Sequence, residues 1–328
     1  MKIKGVTRMM YGGGYYRMML PLDELAKHGH ETSYALSTLD QEPDGADVFV
    51  GQIVGGSNQS IVHAWWRHIY RECPMVYEID DDLFNIEPHN PSYSVYSNPL
   101  NTDSITTCME IASLVTVTTP ILAERIAKIN PNVVVLPNCI DEALLEHQRP
   151  QRDRLTIGWA GGDSHLNDIA SAARGLKKTM EYNPDVDIHF IGADFRSLIK
   201  APREIRHTDY QTDIWDYYRA IDFDIGIAPL VPTHFAEAKS HIKALEYSAL
   251  GIPVLASDCA PYRDLVIDGV TGFLVKQDHE WGRRLRDLIN DDAMRTEMGL
   301  KAREVASQWT IQNHWQEWES AYRGIVRG

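Results

Sequence analysis

The sequence predicts an α/β protein made of two doubly wound domains, each built on a parallel sheet. Short β-rich runs alternate with helix-compatible segments along the chain, from KIKGVT, ETSYALS, DVFVGQIV, MVYEID, LVTVTT and NVVVLP to LTIGWA, VDIHFIG, FDIGIAPL, IPVLAS and GFLV. This alternation is typical of βαβ units, whose sheet is covered by helices on both faces. A chain of 328 residues is longer than one hydrophobic core usually serves, so we expect two such domains.

The junction between the domains is predicted in a polar stretch, NCIDEALLEHQRPQRDR, where the alternation stops and then restarts. The first domain is assigned residues 1–145 and the second residues 146–309. Helices of the second domain are predicted near residues 167–182, 214–220, 240–250 and 281–288. Residues 310–328 are expected to pack back on the first domain, because this last helix has large side chains on one face: Trp315, Trp318, Tyr322 and Ile325.

Charge and cysteine content disfavour several classes of protein. With 32 Lys and Arg against 46 Asp and Glu, the net charge of -14 repels a phosphate backbone over most of the surface. The four cysteines form no CxxC pair, so neither a zinc site nor a disulfide framework is predicted. The sequence shows no signal peptide and no apolar stretch of roughly 20 residues, which predicts a cytoplasmic protein without a transmembrane segment.

The stretch KSHIKALEYSALGIPVLAS, residues 239–257, contains a helix with well-marked ends. Ser240 is expected to cap it, and Gly251 followed by Pro253 is expected to end it. Apolar side chains recur at helical spacing, and Glu246 falls at the border of the apolar face. A half-buried carboxylate at that position needs a partner.

Two interpretations of this helix are open. Lys239 stands at its amino end, where free N–H groups and the helix dipole favour an anion, and Lys243 follows one turn later. A diphosphate at the helix start and a sugar hydroxyl near Glu246 would satisfy all three charges. Alternatively, Glu246 pairs with Lys243 or with a neighbouring strand and belongs to the scaffold.

The longer pattern around this helix resembles a known enzyme family. KSHIKALEYSALGIPVLAS, APYRDLVIDGVTGFLV and EWGRRLRDLINDDAMRTEMGLKARE, in this order, resemble the C-terminal half of GT-B fold glycosyltransferases, in particular the retaining family 4-like enzymes. GGGYYRMMLPLDELAKHGHE, VVVLPNCID, IGWAGGDSHLNDIASAARGL and YYRAIDFDIGIAPL resemble further segments of this family, and YYRMMLP and EIDDDLF are similar to bacteriophage members. Together these segments cover most of the chain.

The resemblance implies two Rossmann-like domains that face a central cleft. Residues 1–145, with the helix at 310–328, would lie on the acceptor side, and residues 146–309 would bind the donor, a UDP- or GDP-sugar. The implied reaction transfers the sugar, with retention of configuration, to a hydroxyl of a glycan, a protein or a small molecule, and requires no metal or other cofactor. The acidic surface disfavours a nucleic-acid acceptor. The oligomeric state is left open.

By this resemblance, Glu246 is the distal Glu of the family's paired-Glu signature and hydrogen-bonds the donor ribose. The sequence departs from the family at two points. Ala238 stands where the proximal Glu is expected, and GWAGGDSHLND contains no Arg or Lys.

We expect other groups to compensate, because the leaving diphosphate develops charge that must be stabilised in place. Lys239, with Lys243 and Ser240, is the predicted set of diphosphate contacts. The backbone amides of Gly161 and Gly162 are expected to approach the phosphates closely.

The glycine-rich loop GGGYYR follows the first strand and permits close approach of a phosphate or a sugar. Gly13, Gly14 and Arg17 are therefore candidate contacts to the donor, and a sugar or acceptor role is favoured over a merely tight turn. Arg17 occupies the place of the third glycine of the dinucleotide fingerprint, so that fingerprint is absent.

Three further candidates follow strands of the two domains. Asp80, Asp81 and Asp82 stand at the carboxyl end of a strand, where doubly wound sheets bind ligands. We assign a hydroxyl contact to Asp81, with a solvated turn as the alternative, and we predict Asp81, Lys239 and Glu246 as the catalytic residues. His165, three residues before Asp168 on a helix, is a candidate donor contact or an ordinary surface histidine. Tyr210 is placed near the nucleotide base.

Two other functions are compatible with these residues. A nucleotide-sugar epimerase or hydrolase on the same fold would act on the donor without an acceptor. A non-catalytic nucleotide-sugar-binding protein is suggested by the missing proximal Glu and the missing cations.

Overall fold

The structure is a computed structural model that describes residues 1–36, 43, 45–55 and 59–326. It divides into two compact units, which we call unit 1 (Met1–Asp141, Ala238–Ser240 and Ile311–Gly328) and unit 2 (Glu142–Glu237 and His241–Thr310). The division thus falls between residues 141 and 142 instead of 145 and 146. The assignment of residues 238–240 to unit 1 was not indicated by any pattern in the sequence.

Each unit contains one six-stranded sheet. Unit 1 has β1 (Lys2–Thr7), β2 (Glu31–Leu36), β3 (Val48–Gln52), β4 (Met75–Ile79), β5 (Leu114–Val117) and β6 (Val133–Val135). Unit 2 has β7 (Leu155–Gly161), β8 (Val186–Gly192), β9 (Arg206–Thr208), β10 (Ile225–Ala228), β11 (Val254–Ser257) and β12 (Gly272–Val275). Each predicted strand is present, and Ser37, the last residue of the predicted second strand, lies outside the described residues.

Helices lie between most consecutive strands of the described chain and follow the last strand. They are α1 (Leu20–Lys27), α2 (Gln59–Glu72), α3 (Tyr93–Tyr96), α4 (Pro99–Ile111), α5 (Pro120–Ile126), α6 (Ala143–Glu146), α7 (Leu166–Tyr182), α8 (Arg196–Ile199), α9 (Ile214–Ala220), α10 (His234–Glu237), α11 (Ile242–Ala249), α12 (Ala260–Arg263), α13 (Trp281–Asn290), α14 (Asp292–Ala306) and α15 (Ile311–Arg323). A π-helical turn, Tyr15–Met19, leads directly into α1.

All strand pairs of both sheets are parallel, and the orders are β2-β1-β3-β4-β5-β6 and β12-β11-β10-β7-β8-β9. Strands β4 and β5 are buried at every residue, as expected of strands covered on both faces. The order reverses between β1 and β3 in the first sheet and between β7 and β10 in the second. Ligands of doubly wound sheets bind at the carboxyl ends of the strands at such points.

The C-terminal helix α15 packs on α1 within unit 1, as predicted. Trp318 and Tyr322 are buried, and the ring of Trp315 stacks on His28 with a centroid distance of 3.6 Å. Residues 327 and 328 of the predicted segment lie outside the described residues.

The predicted limits of the helix after residue 239 are right at one end only. The N-cap position of α11 is His241, and Ser240 does not cap the helix because its Oγ accepts from Asn138 Nδ2 at 2.8 Å. The predicted end is confirmed. Gly251 has a φ of +69°, and the N–H groups of Gly251 and Ile252 close the last turn on the carbonyls of residues 248 and 247.

Strand β9 and helix α14 are among the elements that were not predicted from the sequence. Strand β9 has only three residues, and its letters, RHT, carry no apolar pattern. Helix α14 is rich in charged residues and presents no strong apolar face, and an Asp291 side chain that accepts from Met294 N–H marks its start.

Within the described ranges, we find no helix with the length and apolar content that crossing a bilayer requires.

Candidate functional site

The carboxyl edge of the second sheet has a glycine-lined end of strand β7. A Cβ built on Gly161 would lie 2.6 Å from Lys243 Nζ, and one built on Gly192, which ends β8, would lie 2.2 Å from the carbonyl oxygen of Gly161. Gly162 differs, because a Cβ there would meet no atom within 4 Å. The strand therefore ends beside open space, at the switch point between β7 and β10.

Lys243 brings a positive charge to this edge. It lies in the first turn of α11, and its Nζ donates to the carbonyl oxygen of Ala160 at 2.5 Å. The ammonium also lies over the Trp159 ring, 4.8 Å from the centroid. These contacts hold the predicted cation next to the predicted glycine loop.

Glu246 lies deeper in unit 2 than the sequence predicted. From Ala244 onward every residue of α11 is buried, and Glu246 is 5% exposed instead of standing at the border of an apolar face. Its Oε2 accepts from the hydroxyl of Tyr217, on α9, at 2.9 Å. Burial and then the charge of Glu246 raise the pKa of Tyr217 well above its usual value, so this hydroxyl remains a donor.

His165 and Asp168 form a hydrogen-bonded pair at the start of α7. His165 Nδ1 lies 2.7 Å from Asp168 Oδ2, and Asp168 Oδ1 accepts from the backbone N–H of Val231, which follows β10. The pair therefore joins the loops after β7 and β10. Tyr210, 45% exposed, lies near Gly192 at the same edge.

Two residues of the predicted diphosphate set, Lys239 and Ser240, belong to unit 1. Lys239 Nζ lies 3.3 Å from Asp81 Oδ1, so two residues that the sequence assigned to catalysis form an ion pair. Lys239, Ser240 and Asp81 stay predictions as ligand contacts.

The other two carboxylates of the Asp80–Asp82 run have separate environments. Asp82 is buried and binds Arg125 Nη1 at 2.7 Å, which makes it part of the scaffold. Asp80 stands over the loop at Gly13, since a Cβ there would be 2.4 Å from Asp80 Oδ2. Burial, with the charges of Asp81 and Glu78, raises the pKa of Asp80 to about 7.

The glycine loop of unit 1 is tightly packed on its own backbone. Gly12 has a φ of +52°, and a Cβ on Gly14 would lie 1.7 Å from the carbonyl oxygen of Met9. Close packing against the backbone of Met9 thus explains why position 14 is a glycine, and this glycine does not by itself indicate a ligand.

Arg17 has a different place from the one expected. It is fully buried, binds both oxygens of Glu78 (Nε to Oε1, 2.6 Å; Nη2 to Oε2, 3.1 Å), and donates to Leu136 and Asn138. Its guanidinium also lies over the Trp318 ring, 4.8 Å from the centroid. Because the Arg17 side chain has no exposed surface, the predicted contact to the donor is wrong, and we assign Arg17 to the scaffold of unit 1.

Sequence reasoning missed two side chains near these edges. Tyr217 lies in DYYRAIDF, where a pair of tyrosines before a buried strand is typical of residues that pack in a core. Gln52 ends β3, and no motif surrounds it. Within the described residues, no group of three or more His, Cys, Asp or Glu side chains is arranged to hold a metal ion.

Part of the chain is similar to a known protein family. Residues 155–291, which include β7 to β12, match the family described as glycosyl transferases group 1. The capsular polysaccharide biosynthesis glycosyltransferase CapM of Staphylococcus aureus is 30% identical over 99 residues, which are 29% of this chain and 26% of that protein. The D-inositol 3-phosphate glycosyltransferase of Xylanimonas cellulosilytica is 24% identical over 277 residues, which are 82% of this chain and 57% of that protein. The chain spans less than two thirds of the length of either relative.

The fold is shared over nearly the whole chain with a solved structure. The Anabaena protein Alr3699/HepE, crystallised in complex with UDP and glucose, gives a TM-score of 0.68 at 13% identity and covers 99% of this chain and 100% of its own. An identity this low establishes a common fold only. The two parallel sheets and this likeness confirm the GT-B fold class predicted from the sequence.

Proposed function

Because residues 155–291 match the glycosyl transferases group 1 family and the chain has a GT-B fold, we propose that this protein is a glycosyltransferase. It moves a sugar from a nucleotide-diphosphate sugar to an acceptor hydroxyl. The observation that carries the proposal is the ammonium of Lys243, placed beside Gly161 at the switch point of the second sheet.

The donor diphosphate binds at the end of β7 in this proposal. The open space at Gly162 admits a phosphate to the backbone, and Lys243 supplies the cation that the loop itself lacks. Negative charge that develops on the leaving diphosphate is then stabilised by the ammonium of Lys243, which is already fixed in position. Such preorganised electrostatic stabilisation is usually the largest contribution to catalysis.

The nucleoside lies along α11 and the loop after β9. Glu246, held by Tyr217, accepts from ribose hydroxyls, and Tyr210 stacks on the base. The pair of His165 with Asp168 contacts the donor sugar at the start of α7. The UDP complex of the Anabaena protein supports a UDP-sugar as the first donor to test.

We further propose transfer with retention of configuration to a hydroxyl of a glycan, a protein or a small molecule. In this mechanism a leaving phosphate oxygen takes the acceptor proton on the same face of the sugar, and no protein nucleophile is needed. The anomeric proton of the product, observed by NMR before mutarotation, distinguishes retention from inversion. The predicted cytoplasmic location stays a prediction.

The first prediction concerns Lys243. Lys243→Met keeps most of the side-chain length and removes the charge, so it should abolish the stabilisation that a UDP-sugar gives to the wild type in thermal unfolding. A ligand at 100 times its Kd stabilises the native state by about 2.7 kcal/mol. Turnover should fall by about a hundredfold or more, as when one stabilising donor is removed from an active site.

Lys301→Met is the matched control, because Lys301 lies on α14 and pairs with Glu297 on the same helix. It should retain the donor-dependent shift. An unchanged shift in Lys243→Met would remove the diphosphate from β7, and Lys239→Met in the same assay tests the other predicted cation. Binding without turnover across acceptors would favour the non-catalytic alternative. Release of a free sugar from the donor without acceptor would favour the epimerase or hydrolase.

A further inference from the structure

Two polar side chains of unit 1 meet at the carboxyl edge of the first sheet. Gln52 ends β3 and Asp80 directly follows β4, beside the switch point between β1 and β3. The position of a Cβ on Gly13 is 2.4 Å from Asp80 Oδ2 and 3.4 Å from Gln52 Nε2. An amide donor and a carboxyl group therefore lie together over the Cα of Gly13.

Gln52 is oriented by a bond on its other side. The side chain is 4% exposed, and its Oε1 accepts from Thr7 Oγ1 at 2.5 Å. This bond directs Nε2 towards Gly13, and no acceptor in the described part of the chain is hydrogen-bonded to Nε2. The Nε2 donor is therefore available to an oxygen atom of a ligand at this position.

Asp80 is also available to a ligand. No side chain among the described residues is hydrogen-bonded to its carboxyl group, whereas its neighbours Asp81 and Asp82 pair with Lys239 and Arg125. The carboxylates therefore differ: two are neutralised by cations, and the third lies beside an unpaired amide.

The groups that face Asp80 make its protonation sensitive to pH near neutrality. Burial contributes most to the raised pKa, the charges of Asp81 and Glu78 add to it, and Arg17 opposes it. Tyr96 is a further titratable group near Asp80. Burial raises the pKa of Tyr96, the charge of Arg8 lowers it, and the charges of Asp80 and Asp81 raise it further.

We propose that Gln52 and Asp80 form a hydroxyl-binding subsite for an uncharged sugar or polyol. A hydroxyl oxygen accepts from Gln52 Nε2, and the same or a vicinal hydroxyl donates to Asp80. A phosphate is disfavoured, because Asp80, when ionised, places negative charge where a phosphate would add its own. The glycine loop of unit 1 then serves hydroxyl recognition instead of phosphate binding. To call the ligand the acceptor rests on the proposed function, but the binding chemistry does not.

Ligand-observed saturation-transfer NMR on the full chain tests the subsite, with myo-inositol and methyl α-glucoside as neutral probes and glucose 6-phosphate as the charged one. Wild type should saturate the neutral probes more strongly than the phosphate. Gly13→Ala places a methyl group against the Asp80 carboxyl, and Asp80→Asn keeps the shape without the charge. Both should weaken neutral-probe binding about tenfold or more, as expected for loss of a hydrogen bond to a charged group.

Asp103→Asn is the matched control, because Asp103 is an exposed residue of α4. It should bind the neutral probes like wild type. Wild-type affinity in both Gly13→Ala and Asp80→Asn would overturn the proposal, and so would stronger binding of glucose 6-phosphate that Gly13→Ala abolishes. If one variant fails to fold, the other decides.

A pH series gives a readout that a merely structural role would not change. Affinity for the neutral probes should rise between pH 6 and pH 8 as Asp80 ionises, and Asp80→Asn should remove this dependence. A flat profile in the wild type would contradict the assignment of Asp80. A separate experiment tests the proposed function. If no nucleotide sugar raises the thermal stability of the wild type, the proposed function is wrong, whereas the NMR result for the subsite still holds.

Discussion

Glu246 illustrates at the residue scale how a carboxylate is accommodated in a helix that is otherwise buried. Its spacing with apolar neighbours identified it in the sequence as a residue that needs a partner. The partner that the structure provides, Tyr217, lies 29 residues earlier on another helix. Local spacing could not indicate this pair, because the packing of α9 against α11 brings the two side chains together.

The second prediction is that Tyr217 positions Glu246 for the donor. Tyr217→Phe retains the ring and removes the O–H group, so Glu246 loses one fixed hydrogen bond of about 1 kcal/mol. We expect KM for the donor to rise about five- to tenfold while kcat changes less, and the measurement is steady-state kinetics at varied donor concentration.

Tyr182→Phe provides the control, because Tyr182 is 81% exposed at the end of α7. It should leave both constants unchanged. An unaltered KM in Tyr217→Phe would mean that Glu246 is held by other groups. A fall in kcat alone would assign Tyr217 to the chemical step.

Polar pairs at single residues also explain an element that the sequence did not reveal. Strand β9 is three residues long, and two of them bind side chains of unit 2. Arg206 Nη1 donates to Asp222 Oδ2 at 2.6 Å, and Thr208 Oγ1 lies 2.9 Å from His189 Nε2. Asp222 also binds His189 Nδ1 and Arg152 Nε, both at 2.7 Å. A polar network centred on the buried Asp222, and not apolar periodicity, joins this edge strand to the sheet.

The third prediction, at the element scale, is that this network stabilises unit 2. Asp222→Asn removes the carboxylate that binds the buried His189 and the partly exposed Arg206 and Arg152, and because solvent screens the two arginines we expect a loss of about 1–3 kcal/mol. Chemical denaturation should show a loss of this size. Asp278→Asn, on an exposed turn, is the control and should change stability by less than about 0.5 kcal/mol.

The network also has a defined pH dependence. Burial disfavours the charge of Asp222, but the bonds from His189 and Arg206 outweigh it, so the pKa of Asp222 is held well below its usual value. A lowered pKa in the folded state contributes stability above the unfolded pKa of about 3.9, and this stability is lost as the pH falls through the folded value. The difference between wild type and Asp222→Asn should therefore shrink on acidification below about pH 4. A constant difference would contradict the network.

For the whole molecule, the two sheets share an architecture but differ in strand order. The second has the order of a dinucleotide-binding fold, with three strands on each side of its switch point, whereas the first has two strands, β1 and β2, on one side and four on the other. Each order brings a different loop to a ligand-binding edge. The glycine loop with Gln52 and Asp80 reaches the edge in unit 1, and the Gly161 loop with Lys243 reaches it in unit 2.

The fourth prediction follows from the net charge of -14. A surface of this sign repels the phosphate backbone, so we expect no binding to a fluorescein-labelled DNA duplex below about 100 μM protein at 0.15 M salt. Fluorescence anisotropy measures this directly. Saturable binding that weakens steeply with added salt would reveal a local basic groove and would reopen a nucleic-acid acceptor.

Part of this structure could be predicted from local residue types. Continuous apolar runs such as MVYEI predicted the buried strands, and Gly251 predicted the end of α11, because backbone conformation and burial on both faces restrict the residue types directly. The predicted start of α11 failed at Ser240. A hydroxyl can cap a helix or bind another residue, and Asn138, distant in sequence, decided the choice.

The amino-acid sequence by itself determined most of the strands and the longer helices of the second domain other than α14, the fold class, and the identity of Lys243, Glu246 and the glycine loops as unusual residues. Only the tertiary structure decided what each of them contacts. It buried Arg17 against Glu78, paired Lys239 with Asp81 and placed Lys243 at the end of β7. The physical reason is that periodicity and turn chemistry act over a few residues, whereas the partner of a charged group is set by desolvation and packing between distant segments.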